Sequence, residues 1–228
     1  SEQEVQPGIV QRMAATGPCC GYTTPYQRVR EQLRAKRGGT HDARLIAVIT
    51  LDKHGGRHFR LPTEADRKAA KTAARDLAEI ERNHKGPWSF VPQEPTPECR
   101  GPGASRAFSL QRYGILQWSD VYLPRQGLAL GTFCQLVGEA REAMLRDGFD
   151  SAFADAVATC AALSISNVCH YLSSVSIWAS DGMISAFVQG SGLAMRPDFA
   201  EANPLMSKLV GGVEYALGLV TDFLKQEG

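Results

Sequence analysis

The sequence lacks the long apolar segments that membrane insertion and secretion require. It contains no uninterrupted run of about 18 apolar residues, the length at which a segment becomes a candidate for crossing a bilayer. The N-terminal stretch SEQEVQPGIV is charged and has no apolar core of signal-peptide length. These absences predict a cytoplasmic protein that has no membrane partner and is not secreted through a signal peptide.

The sequence also lacks the motifs that mark common catalytic sites. There is no GxGxxG after a strand, no GxxxxGKS or GxxxxGKT, no HExxH and no GxSxG. The nearest approach to a catalytic pair is His170 with Asn167 on one apolar helical pattern, where a histidine is more often a core residue. We therefore predict no catalytic residue. The alternative is an unrecognised enzyme that uses His170, Asp181 or the cysteines in a cleft.

Cysteines are too sparse to form two zinc knuckles. A zinc ribbon needs two pairs of thiolates, each pair about two residues apart, so that four ligands converge on one ion. This chain has a single pair, Cys19 and Cys20 in GPCCG. The others stand alone, at Cys99, Cys134, Cys160 and Cys169. Zinc is therefore not expected as a cofactor, and Cys19 and Cys20 are the residues that would bind it. Unpaired cysteines fit a reducing compartment.

A helix rich in arginine is predicted over residues 25–37. Thr24 offers a helix cap and Pro25 suits the first helical position. Gly38 and Gly39 would end the helix, because glycine readily adopts the left-handed conformation that follows a last turn.

A β-hairpin and a second helix are predicted to follow. The apolar run at residues 43–51 and the alternating run at 57–61 are separated by KHGG, which is typical of a hairpin turn. Thr63 followed by Asp66 resembles a capping box, and apolar residues at helical spacing continue the helix to residue 82.

The remainder of the chain is predicted to be mainly helical. Pro124 opens a long helix that ends at Asp147, a second helical pattern runs to about Ser173, and a third covers residues 209–224. A weaker pattern covers residues 183–188. The predicted class is therefore α+β, with a small antiparallel hairpin or sheet and helices in the N-terminal part and a mainly helical C-terminal part. The alternative is that these pieces complete one mixed sheet with regions outside this chain.

Four parts follow from these patterns. The segment PQEPTPECRGPGASR is rich in proline and glycine and has no periodicity, which is typical of a linker or a long surface loop. The predicted boundaries are residues 1–24, a cysteine-containing segment; 25–91, the basic helix with the hairpin and the second helix; 92–107, the linker; and 108–228, the mainly helical part.

The near-neutral net charge hides a division between the two halves. Residues 1–125 carry 20 Lys and Arg against 13 Asp and Glu, whereas residues 126–228 carry 5 against 11. An excess of cations confined to one half indicates contact with nucleic acid or another polyanion. The alternatives are a basic surface that is merely solvated, and one that packs on the acidic half of the same molecule.

The basic helix is the first candidate for phosphate contact. Tyr26, Val29 and Leu33 would form its apolar stripe. Guanidinium groups on a helix that is anchored by such a stripe suit phosphate oxygens, which supply affinity without sequence specificity. The alternative is a solvated face of a core-packed helix. The candidate residues are Arg30, Arg34 and Arg37 on one ridge, and Arg28 and Lys36 on the far side.

A strip of aromatic and charged residues at 108–126 supplies two more candidates, Arg112 and Arg125. Arginine interleaved with aromatic residues in a loop can stack on bases or clamp phosphates. The favoured alternative anchors this strip to the core, with Trp118 and Tyr122 buried and Asp120 paired with Arg125.

Four segments carry a family resemblance. They are GYTTPYQRVREQLRAKRGGTHDARLIAVI, RLPTEAD, QRYGILQWSDVYLPRQGLAL and DFAEANP, and together they span most of the chain. In these segments the sequence resembles the large prokaryotic adenine-specific DNA methylases that carry an N-terminal domain of unknown function. The resemblance implies a location between the glycine-rich loop that binds S-adenosylmethionine and the Asp/Asn-Pro-Pro-Tyr motif that holds the extruded adenine.

Neither catalytic motif of that family is present in this sequence. Asn203-Pro204 is followed by Leu205 and lacks the second proline and the aromatic residue. The family's CPxCG knuckle has glycine, Gly17, at its first ligand position, so residues 1–24 look like a degenerate knuckle remnant. No catalytic residue carries over.

The sequence therefore predicts a non-catalytic fragment or subunit of an adenine-specific DNA methyltransferase that contributes DNA backbone contact and scaffold. Its expected partners are DNA and the remaining methylase domain or subunit. S-adenosylmethionine is expected for the complete family enzyme, with no cofactor in this chain. The alternative is a structural protein-interaction module that has no nucleic-acid role.

Overall fold

A computed structural model describes residues 10–11, 14–98, 108–178, 184–185, 192–196, 198–207 and 209–227. Within these ranges the α+β class is confirmed: five α-helices accompany small antiparallel sheets. Cys99 and Asp181, both named among the candidates above, lie outside the described residues.

Among the described residues, three short strands precede the basic helix. Strands β1 (Val10–Gln11), β2 (Ala14–Thr16) and β3 (Thr23–Pro25) form an antiparallel sheet in that order. Helix α1 (Tyr26–Ala35) follows directly, with Pro25 as the extended residue before it. The helix ends two residues earlier than predicted, and a 3₁₀ helix (Arg37–Asp42) continues the chain.

The predicted glycine pair lies in the turn after the basic helix, which itself already ends at Ala35. Gly38 and Gly39 have φ angles of +79° and +85°, which a residue with a side chain rarely adopts. A Cβ at Gly38 would lie 2.2 Å from the side chain of Ile115, so the turn also needs glycine for space.

The predicted hairpin is confirmed. Strand β4 (Val48–Leu51) pairs with β5 (Arg57–Arg60) in antiparallel register, and Asp52 closes the turn by accepting hydrogen bonds from the backbone N–H groups of His54 and Gly56, both 2.8 Å. Strand β4 is shorter than the apolar run at 43–51, because residues 43–47 of that run form no regular structure.

Helix α2 (Glu64–Asn83) begins with the predicted capping box. The hydroxyl of Thr63 accepts from the Asp66 N–H at 3.3 Å, and the Asp66 carboxylate accepts from the Thr63 N–H at 2.7 Å. Arg60 at the end of β5 donates two hydrogen bonds to the same carboxylate, at 2.6 and 3.0 Å. Asp66 therefore joins the hairpin to the start of α2.

We expect the stability of this junction to decrease in acid. Hydrogen bonds from Arg60, and then from Thr63, hold the pKa of Asp66 well below its usual range. A lowered pKa stabilises the folded state above the ordinary carboxyl pKa, and this stabilisation is lost as the pH falls toward the lowered value. We expect the thermal unfolding midpoint to fall less steeply below about pH 4 in Asp66→Asn than in the wild type. An identical acid dependence of the two midpoints would contradict the assignment.

Residues 94–96 join the core, although sequence analysis places them in a linker. Thr96 is buried; its hydroxyl donates to the Ile115 carbonyl at 2.8 Å and its N–H donates to the Leu116 carbonyl at 2.9 Å. The Trp118 N–H donates to the carbonyl of Glu94 at 3.0 Å. The start of the predicted linker is thus joined to the helical part by hydrogen bonds. Residues 99–107 lie outside the description.

Two apolar clusters form the core of the described structure. The first surrounds the 3₁₀ helices Leu110–Tyr113 and Trp118–Val121 and contains Leu110, Ile115, Val121, Val175 and Leu193. The second lies between three helices, α3 (Pro124–Arg146), α4 (Ser151–Cys169) and α5 (Val213–Glu227), and contains Leu130, Ile165, Val168, Leu172 and Ala216.

Three predicted boundaries in the helical part need correction. Helix α4 ends at Cys169 instead of Ser173. Helix α5 begins at Val213, because Gly211 before it has a φ of +94° that breaks a helix beginning at residue 209. Within the weak pattern at 183–188, the described residues Ile184–Ser185 form strand β7, which pairs with β6 (Ile177–Trp178).

Helix α4 is long and apolar enough to cross a membrane by length and composition alone, and 22% of its 18-residue apolar window is buried within the protein. Sequence analysis missed it because Ser, Thr and Asn interrupt its apolar residues. The core helix of a soluble protein meets the same criterion, and α4 packs against both α3 and α5.

Candidate nucleic-acid interface

The first arginine of the predicted ridge, Arg30, lies between two tyrosine rings. Its guanidinium carbon is 4.8 Å from the ring centroid of Tyr26 and 5.3 Å from that of Tyr113. Attraction between a cation and the faces of aromatic rings stabilises such a position. The Nε of Arg30 is buried and has no hydrogen-bond acceptor among the described residues, so the ring contacts are what hold this side chain.

Arg34 contacts the backbone of the segment that contains Tyr113. Its Nε donates a 2.9 Å hydrogen bond to the main-chain oxygen of Arg112. The approach is close because Gly114, with a φ of +93°, has no side chain: a Cβ there would lie 2.5 Å from the Cα of Arg34. Helix α1 and the turn after Tyr113 are therefore in direct backbone contact.

Arg37 pairs with a buried carboxylate. Its Nη2 lies 2.5 Å from Oδ1 of Asp120; the Asp120 side chain is 2% exposed and that of Arg37 is 53% exposed. The second oxygen, Oδ2, accepts hydrogen bonds from the N–H groups of Leu116 at 3.0 Å and Gln117 at 3.1 Å. Asp120 therefore fixes its own loop and the end of α1 together. The expected pairing of Asp120 with Arg125 is therefore wrong, because Asp120 pairs with Arg37.

The two cations on the far side of the ridge pair with neighbours along the chain. Arg28 lies 3.2 Å from Glu31, and both side chains are largely exposed. Lys36 pairs with Asp42 and lowers the pKa of that carboxyl group. Exposed pairs of this kind contribute little stability, so both cations remain available to an external anion.

Arg125 contacts a different part of the protein. Its Nε lies 2.5 Å from Oε1 of Glu201, and the buried amide of Gln126 donates to the other oxygen of the same carboxylate. These bonds tie the start of α3 to the segment before α5. The segment DFAEANP, quoted for the family resemblance, thus contributes Glu201 to a structural contact.

The structure brings five of the seven predicted DNA-binding residues together on α1 and the turn that follows it. Arg112 contacts this group because its main-chain oxygen accepts a hydrogen bond from Arg34, whereas Arg125 pairs with Glu201 elsewhere. Phosphate binding by all seven stays a prediction. Arg30, Arg34 and Arg37 already make internal contacts that hold α1 against residues 112–120, which matches the alternative of a core-packed helix.

Cys19 and Cys20 lie exposed in the turn between β2 and β3. The turn is closed by a 2.9 Å hydrogen bond from the Gly17 N–H to the Tyr22 carbonyl. In the part of the chain that the structure describes, no group of three or more His, Cys, Asp or Glu side chains could hold a metal ion. The pair therefore has no further described ligand.

Two cysteines of the helical part, Cys134 and Cys169, are poorly suited to nucleophilic chemistry. Burial raises the pKa of the Cys169 thiol to about 11 and also raises that of Cys134. The thiolate is the reactive form, so a raised pKa lowers its population at neutral pH. Two shallow, open depressions at the C-terminal end of α2 are lined by neither His170 nor any cysteine.

Sequence analysis missed a row of cations on α2. It described this helix by its apolar stripe and overlooked the opposite side. At 100° per residue, four exposed cations point within about 60° of one another around the helix axis. Their spacing of i, i+3, i+7 and i+14 was the available signal. The residues, called the α2 row below, are Lys68, Lys71, Arg75 and Arg82.

No protein-family model, curated protein or solved structure matches this chain.

Proposed function

We propose that this chain is a non-catalytic component of an adenine-specific DNA methyltransferase, in which it contacts the DNA backbone and acts as scaffold for the catalytic part. The observation that carries the DNA contact is the charge of residues 25–85. They contain fifteen Lys and Arg against eight Asp and Glu, and fourteen of the fifteen cations are exposed. Such a surface attracts phosphates by release of their counterions, without reading bases.

The methyltransferase assignment rests on the four sequence segments that resemble the family, and the non-catalytic role rests on the missing motifs. A complete enzyme of this kind would take S-adenosylmethionine on a partner domain or subunit. The chain would then supply positive surface beside the catalytic part, which reads and modifies the base.

Exposed apolar side chains support the scaffold role. Phe149 and Phe153 stack with ring centroids 5.6 Å apart before and at the start of α4, and both are about half exposed. Other exposed apolar side chains lie further along α4 and on α5, at Val157, Leu163, Leu217, Leu219, Phe223 and Leu224. Surfaces of this kind mark protein contacts. They equally favour the second candidate, a structural protein-interaction module.

The salt dependence of duplex binding distinguishes the two candidates. The purified chain is titrated with a short mixed-sequence DNA duplex over a series of salt concentrations. We expect the logarithm of the association constant to fall linearly with the logarithm of the salt concentration, by about 0.9 for each phosphate contacted. Binding that is undetectable even at low salt would remove the DNA role and favour the interaction module.

A further inference from the structure

The α2 row lies on the side of its helix that faces away from the protein. Leu77 and the small residues Ala70 and Ala73 are half-buried, and α2 packs against α3, where Leu77 approaches Gly127. Their directions around the helix axis are about 150° from the centre of the α2 row. The packing that fixes α2 therefore presents these cations to solvent.

The two lysines of the row have no internal partner in the part of the chain that the structure describes. Within the described residues, no carboxylate lies within ion-pair distance of Lys68 or Lys71. Arg75 lies 3.0 Å from Asp76, and Arg82 donates from its Nε to the Ala78 carbonyl at 3.1 Å. Lys68 and Lys71 thus differ from the arginines of α1, which already contact the protein.

Carboxylates on α2 weaken the row at its N-terminal end and in its C-terminal half. The charge of Asp66 is neutralised by Arg60 and points away from the row. Glu64 and Glu79 point in nearly the same direction as the row, Glu64 one turn before Lys68 and Glu79 between Arg75 and Arg82, and Glu64 is 3.9 Å from Arg67, outside the row. The centre of the row, between Lys68 and Arg75, therefore stays positive.

The neighbouring side chains indicate which kind of partner fits. The uncharged positions beside the row carry the small residues Ala65, Thr72 and Ala78. A protein partner usually needs a large aromatic or aliphatic anchor, and membrane insertion needs an apolar face. This surface has neither, whereas a phosphate backbone needs only cations that it can approach closely. The row spans about 21 Å, roughly six base pairs of duplex.

We propose that the α2 row is the principal phosphate-binding surface of this chain and that it lies along the backbone of duplex DNA. This inference rests on the proposed DNA contact and assigns it to a surface that the resemblance and the motif analysis did not name. Lys68 and Lys71 bind phosphate oxygens without base specificity, and Arg75 and Arg82 extend the contact along the strand.

The test compares two double variants of the full chain that remove the same charge. Lys68→Ala with Lys71→Ala removes the unpaired lysines of the row. Arg146→Ala with Lys225→Ala removes two cations from α3 and α5. All four changes place alanine, a strong helix former, at helical positions, and circular dichroism checks the fold. The probe is the same mixed-sequence duplex.

We expect the α2 double variant to lower the salt slope by about 1.8 and the α3/α5 double variant to leave it unchanged. Arg in place of both lysines should retain the slope. An equal reduction in the two double variants would overturn the assignment, because net charge alone would then explain it. If the wild type binds the duplex and the α2 double variant binds it equally well, the inference is overturned. The proposed function would then still stand.

Other anions serve as comparison probes. The α2 double variant is also tested with anionic lipid vesicles and with poly-glutamate. If it loses binding to either of these but still binds the duplex, the assignment to DNA is overturned. Absence of duplex binding by the wild type would overturn both proposals.

Discussion

Asp120→Ala should lower the free energy of unfolding by about 3 kcal/mol, because the change leaves two backbone donors without their acceptor and breaks an ion pair to a buried carboxylate. The N–H groups of Leu116 and Gln117 both donate to Oδ2 of Asp120, and Arg37 contacts Oδ1. Urea denaturation followed by circular dichroism measures the change.

Arg37→Ala is the matched control for this pair. The Arg37 side chain is 53% exposed and its loss keeps the backbone bonds to Asp120, but it leaves a buried carboxylate without its cation. This variant should lower the free energy of unfolding by about 2 kcal/mol, less than Asp120→Ala. Equal losses in Asp120→Ala and Arg37→Ala would show that the backbone bonds to Asp120 contribute nothing, which contradicts the role given to this carboxylate.

Gly114→Ala should be comparably destabilising, also by about 3 kcal/mol. The residue has a φ of +93°, and a Cβ would lie 2.5 Å from the Cα of Arg34. The methyl group meets backbone, which cannot rotate away, so α1 must separate from residues 110–114. The same denaturation experiment measures the loss.

Gly148→Ala separates the two causes. Gly148 has a similar φ of +88°, and nothing lies within 4 Å of the position its Cβ would take. This variant carries only the backbone strain and should lose about 1 kcal/mol. If Gly114→Ala loses no more than Gly148→Ala, α1 and the turn are not in the close contact described here.

Elements with complete local signals could be predicted from the sequence. The capping box at Thr63 and Asp66, the hairpin around KHGG and the helix that begins at Pro124 all depend on residues within a few positions of one another. Local hydrogen bonds and fixed backbone angles determine such elements, so their residues suffice to indicate them.

Long-range partners could not be predicted in this way. Asp120 was expected to pair with Arg125, five residues away, but it pairs with Arg37, and Arg125 pairs with Glu201. Periodicity places a charge on a helix face without saying which part of the chain covers that face. The same limit applies to the candidate site: the spacing of Arg30, Arg34 and Arg37 indicates a ridge, and only the fold shows residues 112–120 against it.

The basic half of the chain makes two different kinds of contact in the structure. Helix α1 packs on residues 110–120, which belong to the same basic half, whereas α2 packs on α3 of the acidic half through its apolar side. The cations of α2 do not take part in that contact. We therefore separate the structural role of the α1 arginines from the proposed role of α2 in binding phosphate.

The most direct test of this separation is one salt series of duplex binding on two variants, measured where both are folded. One is Lys68→Ala with Lys71→Ala; the other is Arg30→Ala with Arg34→Ala and Arg37→Ala. We predict that the salt slope falls by about 1.8 in the lysine variant and by less in the arginine variant, although the latter removes more charge and is less stable. A slope that falls only in the arginine variant would contradict the account and return phosphate binding to α1.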